Sequence, residues 1–365
     1  MIPPPLRRAG LVIGAGLVAV LTLAAPAAAH GADAPDGTDY RIRVTGVTPP
    51  HAGLTVRAVE AGARLELVNA TGRDVQVIGY SGEPYLRVGP AGAYENSRSP
   101  ATYLNRTLAG DTTLPAEADP AAPPRWRKIA DEPRVRWHDQ RTQWRDTGVP
   151  APAAADPTRA HRVRDWAVPV RDGTAQLEVR GTLDWVPPPD AYPWWVAATL
   201  GFLLVGAAGL PPAGSVAGSQ ALRAVGALLA LGGAAAITLV VGRELDAGAT
   251  GLGAVLLGLL TGQVWALLTG LGAVAAGGYA LARRPAADFA LALAGACLGV
   301  FVGVANLAVL SRAVAPVPWP AQYARLLLVV VLVTGVGAVG AGVLRLHAAA
   351  RAAATATGPR APVAA

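Results

Sequence analysis

The residues of this sequence best suited to chemistry are its histidines and the aromatic and charged side chains around one of them. Residues 134–144 read RVRWHDQRTQW, which places His138 between two tryptophans in a run of arginines. An imidazole can bind a metal ion, move a proton or act as a hydrogen-bonded core group. The run therefore predicts either a functional group at His138 or a structural histidine held by neighbours such as Asp139.

A copper site is one interpretation of the histidines, four of which precede residue 193 (His30, His51, His138 and His161). Cleavage after Ala29 would make His30 the N-terminal residue, with an amine and an imidazole for one metal ion. Together with His51 or His138 these nitrogen ligands suit Cu(II). Soft ligands for Cu(I) are scarce, because Met1 and Cys297 are the only residues of their types. Copper handling is therefore kept as an alternative function.

The sequence gives little support for an enzymatic function. Ser81 in GYSGEPY lies in a glycine-rich turn, but it lacks the G-x-S-x-G spacing of a nucleophile elbow. No phosphate loop, HExxH or CxxC motif occurs. The sequence therefore predicts a protein that is not an enzyme.

Recognition of a ligand or partner is the function that the sequence favours most. Tyrosine, tryptophan and arginine are the residue types most enriched at binding hot spots, and they cluster in residues 80–105 and 134–144. The predicted binding residues are Tyr80, Glu83, Tyr85, Tyr103, Asn105, Trp137, His138, Asp139, Arg141 and Trp144.

These residues lie in a segment whose apolar and polar residues alternate with a period of two, as half-buried strands require. Strands are predicted at residues 40–47, 54–59, 63–69, 74–80, 126–129, 135–139, 163–170 and 175–186. Seven or eight short strands favour an all-β, immunoglobulin-like β-sandwich. Residues 126–144 are predicted as a hairpin that turns at 131–133, with His138, Gln140, Thr142 and Trp144 on one face.

The ends of the chain set the predicted domain limits. Residues 1–29 have the charged start, apolar stretch and A-x-A site of a signal peptide; an uncleaved anchor is the alternative. Residues 30–192 would form the exported β-domain and residues 193–347 a transmembrane helical domain. Residues 348–365 are predicted as a disordered cytoplasmic tail.

Five apolar stretches after residue 192 are long enough to cross a bilayer: 194–210, 222–241, 262–282, 289–310 and 324–346. If the β-domain is outside, most arginines of this region fall in inner connections, in accord with the positive-inside rule. The predicted protein is therefore multi-pass in the plasma membrane, with an extracytoplasmic β-domain and a cytoplasmic C-terminus. Residues 247–260 are apolar too, and they form either a re-entrant helix or an extra short span.

The interior of these spans offers little for transport. Ionisable residues usually mark ion paths in membranes, and these spans hold almost none, although a transporter or channel stays as a second alternative. Gly295, Gly299 and Gly303 recur every four residues and predict either a close helix contact or no more than the abundance of glycine in this chain.

The net charge of +7 does not indicate nucleic-acid binding. Residues 30–192 hold 20 Lys+Arg against 21 Asp+Glu, so the excess lies beside the apolar stretches. The expected partners are therefore the lipid bilayer and an envelope protein or ligand.

The stretches GYSGEPYLRV, YENSRSPATYLN and WHDQRTQW, followed by several spans, resemble an uncharacterised family of actinobacterial membrane proteins with an exported N-terminal domain. In that family the last motif more often reads W-H-D-H-R-x-H-W. Gln140 and Gln143 stand here where the family offers imidazoles, which weakens a metal site at this motif. The His-first start and the domain order also resemble CopC-type copper-binding domains fused to membrane spans.

Overall fold

A computed structural model describes residues 37–356 as a β-region followed by a helical region. The strands are β1 (Tyr40–Thr48), β2 (Leu54–Val59), β3 (Arg64–Asn69), β4 (Val75–Ile78), β5 (Pro84–Gly89), β6 (Gly92–Asn96), β7 (Trp126–Ala130), β8 (Arg134–Trp137), β9 (His161–Asp172) and β10 (Ala175–Trp185). Two short helices interrupt them, α1 (Pro100–Leu104) and α2 (Ala151–Ala155). The predicted signal peptide, His30 and the end of the predicted tail lie outside the described residues.

The strands form two antiparallel sheets. Seven strands follow the order β1-β10-β9-β4-β5-β6-β7, and the other three follow β2-β3-β8. β9 buries every second residue over Trp166, Val168 and Val170, as its sequence alternation requires. It turns into β10 at Gly173, whose φ of 58° suits glycine in a two-residue hairpin loop.

One apolar core joins the two sheets. Leu67 on β3 and Trp137 on β8 pack in the same buried cluster as Val77 on β4 and Val168 on β9. Glu66, between two buried leucines of β3, is buried as well. Its carboxylate therefore needs polar partners on the outer side of the three-stranded sheet.

The helical region consists of α3 (Tyr192–Ala207), α4 (Val216–Asp246), α5 (Gly251–Thr261), α6 (Val264–Leu281), α7 (Ala287–Leu298), α8 (Ala308–Ser311) and α9 (Ala321–Ala356). A π-helical turn (Gly299–Gly303) and a 3-10 turn (Val304–Asn306) extend α7. Four helical stretches are long and apolar enough to span a membrane: 216–246, 264–281, 287–306 and 321–355. They overlap four of the five predicted spans. α3 matches the remaining one but has 16 residues.

Glycine allows the long helices to touch backbone to backbone. A β-carbon at Gly277 on α6 would clash with the carbonyl oxygen of Gly226 on α4. A β-carbon at Gly295 on α7 would lie 2.5 Å from the carbonyl oxygen of Gly335 on α9. The glycine repeat on α7 therefore forms a close helix contact, which is one of its two predicted interpretations.

Polar contacts join the β-region to two connections between helices. Thr38 pairs with Val314 through two backbone hydrogen bonds, and Arg312 forms an ion pair with Asp39 at 2.6 Å. The Oδ2 atom of Asp246 accepts the backbone N–H of Ala61 at 2.7 Å. The end of α4 and the start of α9 therefore lie at the same end of the helical region as the β-region.

Several predictions of local structure are wrong. β7 pairs with β6 and β8 pairs with β3, so residues 126–144 form no hairpin. The chain after β8 enters a 3-10 turn (Gln140–Thr142), which removes the predicted alternation beyond His138. The sequence pattern predicts neither β5 nor β6, because turn-forming glycines at 79, 82, 89 and 92 conceal them.

Two further differences concern helices. α5 (Gly251–Thr261) covers most of residues 247–260, and its 11 residues are about 16 Å long at 1.5 Å per residue, which is too short to cross a bilayer. α9 continues to Ala356, so residues 348–356 are helical and the prediction of a disordered tail is wrong for them. Their alanines favour helix by intrinsic propensity.

Candidate functional site

The RVRWHDQRTQW stretch lies at the edge of the three-stranded sheet. Trp137, the last residue of β8, pairs with Leu65 of β3. His138 and Asp139 follow it, and the Asp139 side chain caps the 3-10 turn by accepting the backbone N–H of Arg141 at 3.1 Å. Trp137, His138 and Asp139 are buried, with at most 3% of each exposed. The fold therefore buries two adjacent ionisable side chains, His138 and Asp139.

Asp139 is the centre of a closed polar network. It accepts hydrogen bonds from Nε1 of Trp137 at 3.0 Å and from the guanidinium of Arg141 at 2.7 and 2.8 Å. Arg141 also donates to the carbonyl oxygen of Ile78 and stacks over the ring of Tyr80. The charge of Asp139 is thus matched by one arginine and held by a neutral donor, as a buried carboxylate requires.

His138 has partners at both ring nitrogens. Nδ1 lies 2.8 Å from the carbonyl oxygen of Ala63, and because a carbonyl only accepts, Nδ1 donates there. Nε of Arg64 donates to Nε2 at 3.2 Å. A metal ion at His138 would have to displace one of these groups.

Tyr80, Tyr85 and Asn105 lie beside this network. The hydroxyl of Tyr80 donates to Oδ1 of Asn105 and accepts the backbone N–H of Gln140 at 2.9 Å. Burial raises the pKa of both tyrosines, and the nearby charge of Asp139 raises that of Tyr80 further. Both phenols therefore remain protonated at neutral pH and act as hydrogen-bonding groups.

The other predicted binding residues are tied into the fold. Glu83 is buried and accepts from Oγ of Ser99 at 2.6 Å and from the backbone N–H of Ser81 at 2.9 Å. The hydroxyl of Tyr103 donates to the carbonyl oxygen of Ser97 at 2.9 Å. Trp144 stacks against Tyr40 and donates to Gly148, outside the Asp139 network. Ser81 therefore belongs to a turn held by Glu83.

A cleft of about 200 Å³ lies next to His138, between β8, the β5–β6 hairpin, β7 and the end of α1. Four predicted binding residues line it: Tyr85, Asn105, Trp137 and His138. Eight further residues line the cleft: Arg64, Leu86, Glu95, Thr102, Arg106, Ile129, Val135 and Arg136. Five of them lie within the predicted binding stretches 80–105 and 134–144, although they are not among the predicted binding residues. No sequence pattern indicates Arg64, Arg106 and Ile129, because strands that are distant in the chain bring them together.

Two arginines of the cleft connect to the helical region on their other side. Arg136 donates to Oε1 of Glu66 at 2.8 Å, and Oε2 of Glu66 accepts from Arg57 at 2.6 Å. Arg57 in turn donates to the carbonyl oxygen of Gly248, just after α4. Burial alone would raise the pKa of Glu66, but the hydrogen bonds from Arg136 and Arg57 outweigh it and lower that pKa.

The second connection runs through a strained turn. Arg64 pairs with Glu60 at 2.9 Å, and the next residue, Ala61, donates its backbone N–H to Asp246. Glu60 and Ala61 have φ of 56° and 54°, in the left-handed region that is costly for residues with a β-carbon. The contact with Asp246 helps to hold this conformation against the end of α4.

The two other histidines of the β-region, His51 and His161, are held in separate places. Nε2 of His51 lies 2.8 Å from Oδ2 of Asp172, a carboxylate that also accepts from Arg73. These hydrogen bonds, from Arg73 first, lower the pKa of Asp172. His161 bonds the carbonyl oxygen of Asp156. Within residues 37–356 no three His, Cys, Asp or Glu side chains form a metal-binding group. Copper binding at His30, His51 or His138 stays a prediction.

The roles of these residues are inferred from geometry. The resemblance to the actinobacterial membrane proteins and to CopC-type domains also stays a prediction. No protein-family model, curated protein or solved structure matches this chain.

Proposed function

We propose that this chain is a non-enzymatic membrane protein whose exported β-domain binds a ligand or a partner's side chain in the cleft beside His138. The cleft is the observation that carries the proposal. Its walls belong to the same buried core and Asp139 network that hold Trp137 in place. A preorganised recess of this kind loses little conformational entropy when it binds.

The proposal also includes the fold of the β-domain, the number of membrane spans and their orientation. The two sheets with one core act as an immunoglobulin-like β-sandwich, and α3 serves as a fifth span. Its 16 residues cover about 24 Å, and Trp194 and Trp195 near its start would lie in the interface, where such rings prefer to be. The β-domain then lies outside the plasma membrane and the C-terminus inside. Arg223, Arg283, Arg284 and Arg345 fall at inner ends in this orientation, in support of it.

Site-specific crosslinking in intact cells tests the binding role. A photoreactive residue at Ile129, an exposed residue of the cleft, is compared with one at Val149, an exposed residue outside it. We expect an adduct from position 129 alone. Arg106→Glu reverses a charge in the cleft, and the adduct should disappear in this variant. Arg180→Glu reverses a charge outside the cleft, and the adduct should persist. Equal labelling from both positions, or labelling that ignores Arg106→Glu, would contradict the proposal.

The topology is tested separately with cysteine accessibility. In a Cys297→Ala background, a single cysteine replaces either Ala109 in the β-domain or Pro285 between α6 and α7, both of which are exposed. Intact cells are treated with a membrane-impermeant maleimide, and labelling only at 109 is expected. Labelling of 285 in intact cells would overturn the proposed orientation.

A further inference from the structure

We infer that the cleft beside His138 binds a carboxylate carried by a small apolar body. This inference deepens the proposed function and rests on it. Three arginines line the cleft, Arg64, Arg106 and Arg136, together with one acidic residue, Glu95. Glu95 already accepts from Arg127 at 2.8 Å. Glu60 and Glu66 pair with Arg64 and Arg136, so Arg106 supplies the excess positive charge that faces a ligand.

Two of the three arginines are held by neighbouring groups that leave some of their N–H donors unused. Arg64 uses Nε for His138 and Nη1 for Glu60. Arg136 uses Nε for Glu66. A guanidinium has five N–H groups in a planar fork that fits a carboxylate. These anchored side chains therefore lose little freedom when a carboxylate binds.

Arg106 differs from the other two. It is exposed, and within residues 37–356 no carboxylate forms an ion pair with it. Its guanidinium carbon lies 4.7 Å from the ring centroid of Tyr103, which it covers. Stacking on an aromatic ring orients an arginine without neutralising it. Arg106 is therefore the group most available to an incoming anion.

The remaining walls restrict the body of the ligand. Ile129 supplies exposed apolar surface, and the largely buried Leu86, Val135 and Trp137 border the cleft. Small-molecule pockets usually have volumes of roughly 300–1,000 Å³, so a cleft of about 200 Å³ suits one ring or a branched aliphatic group. The carboxylate can come from a free small molecule or from the C-terminus of a partner protein. The same surroundings disfavour a cation.

The test uses the full chain in lipid nanodiscs and fluorine NMR. 4-(Trifluoromethyl)benzoate is titrated and compared with 4-(trifluoromethyl)benzamide, which has the same shape but no charge. We expect the benzoate to bind at least about tenfold more tightly. Loss of a charge-assisted hydrogen bond in Arg106→Gln should weaken its binding about tenfold. The matched change Arg98→Gln, on the other side of α1 and outside the cleft, should leave binding unchanged.

A second substitution distinguishes a failure of this inference from a failure of the proposed function. Ile129→Trp fills the cleft and should abolish binding of the benzoate. If benzoate and benzamide bind equally and both are lost in Ile129→Trp, the carboxylate inference fails but the cleft remains a binding site. If the affinity for the benzoate is unchanged in both Arg106→Gln and Ile129→Trp, both proposals fail at this cleft. Absence of benzoate binding overturns the carboxylate inference alone.

The source of the carboxylate is decided by competition. The peptide acetyl-Ala-Ala-Phe with a free C-terminus and its C-terminal amide are each added to the bound benzoate. Displacement by the free acid alone supports the inference and indicates a protein C-terminus. Displacement by neither peptide, with benzoate binding intact, supports a small-molecule carboxylate. Equal displacement by both peptides would overturn the role of the carboxylate.

Discussion

The β-region and the helical region are stabilised in different ways. The β-region buries charged side chains in specific pairs, as with Asp139 and Arg141 or Glu66 and Arg136. The long helices approach one another where side chains are missing, as at Gly226 and Gly277. Buried charges in the β-region define one arrangement of the strands, whereas close backbone contact would hold the helices together in a bilayer, which supplies no hydrophobic driving force.

Because buried ion pairs hold the β-region, its stability should be most sensitive to the loss of a buried charge. Asp139→Asn keeps the side-chain volume but leaves Arg141 without its carboxylate. We expect it to destabilise the β-region by about 3 kcal/mol. Hydrogen exchange of the β3 and β8 amides measures the change. Glu178→Gln, in the exposed pair with Arg180, should alter stability by less than about 0.5 kcal/mol. Equal effects would remove the distinction between buried and exposed pairs.

The helical region should instead be most sensitive to an added methyl group at a contact. Gly277→Ala places a β-carbon against the Gly226 carbonyl oxygen and should cost about 2 kcal/mol. Gly278→Ala, one residue further, meets open space and should be neutral or stabilising by up to about 1 kcal/mol. Unfolding by dodecyl sulfate in mixed micelles compares the two. A larger loss in Gly278→Ala would show that the packing differs from this arrangement.

Acid should weaken the β-region before the helices. The pKa of Glu66 is lowered from its ordinary value of 4.5, so its stabilising contribution is complete above that pH. The contribution is lost as the pH falls through the lower pKa of the folded state. Hydrogen exchange of the β2 and β3 amides over a series of decreasing pH values, with Glu66→Gln as reference, measures this. The variant should show a flatter pH dependence, and identical curves would contradict the assignment.

The smallest expected effect lies where the two regions meet. Arg57→Gln removes the bond to the Gly248 carbonyl oxygen and one of the two short ion pairs of Glu66. Because the Arg57 side chain is 43% exposed, we expect a loss of about 1 kcal/mol. Faster exchange of the amides at 247–250 should report it, while those of α7 stay unchanged. Faster exchange in both would indicate a global effect.

The predicted features that hold are those set by local pattern. Strict alternation identifies β1, β2, β3, β9 and β10, and long apolar runs identify four helices capable of spanning a membrane. The β5–β6 hairpin escapes prediction because glycines interrupt the alternation. The hairpin predicted for 126–144 is wrong because β7 and β8 pair with strands from distant parts of the chain.

The predicted binding residues show the same limit. Trp137, His138, Tyr85 and Asn105 do line one cleft, but Asp139, Arg141 and Glu83 are bonded to their neighbours in the interior. Residue type cannot separate these two groups, because the same tyrosines, arginines and carboxylates serve recognition and buried networks alike. Burial does not separate them either, and only their position beside the cleft does.

Local patterns suffice to predict that a β-rich segment precedes long apolar helices, because strand alternation and apolar runs depend on residues close in the chain. The role of RVRWHDQRTQW depends instead on contacts with residues far away in the chain. Ala63 and Arg64, more than 70 residues earlier, hold the ring of His138, and Asp139 binds Arg141 and Trp137. The cleft beside them exists because long-range strand pairing places Arg106, Ile129 and Arg136 around one recess, and no local pattern records such pairing.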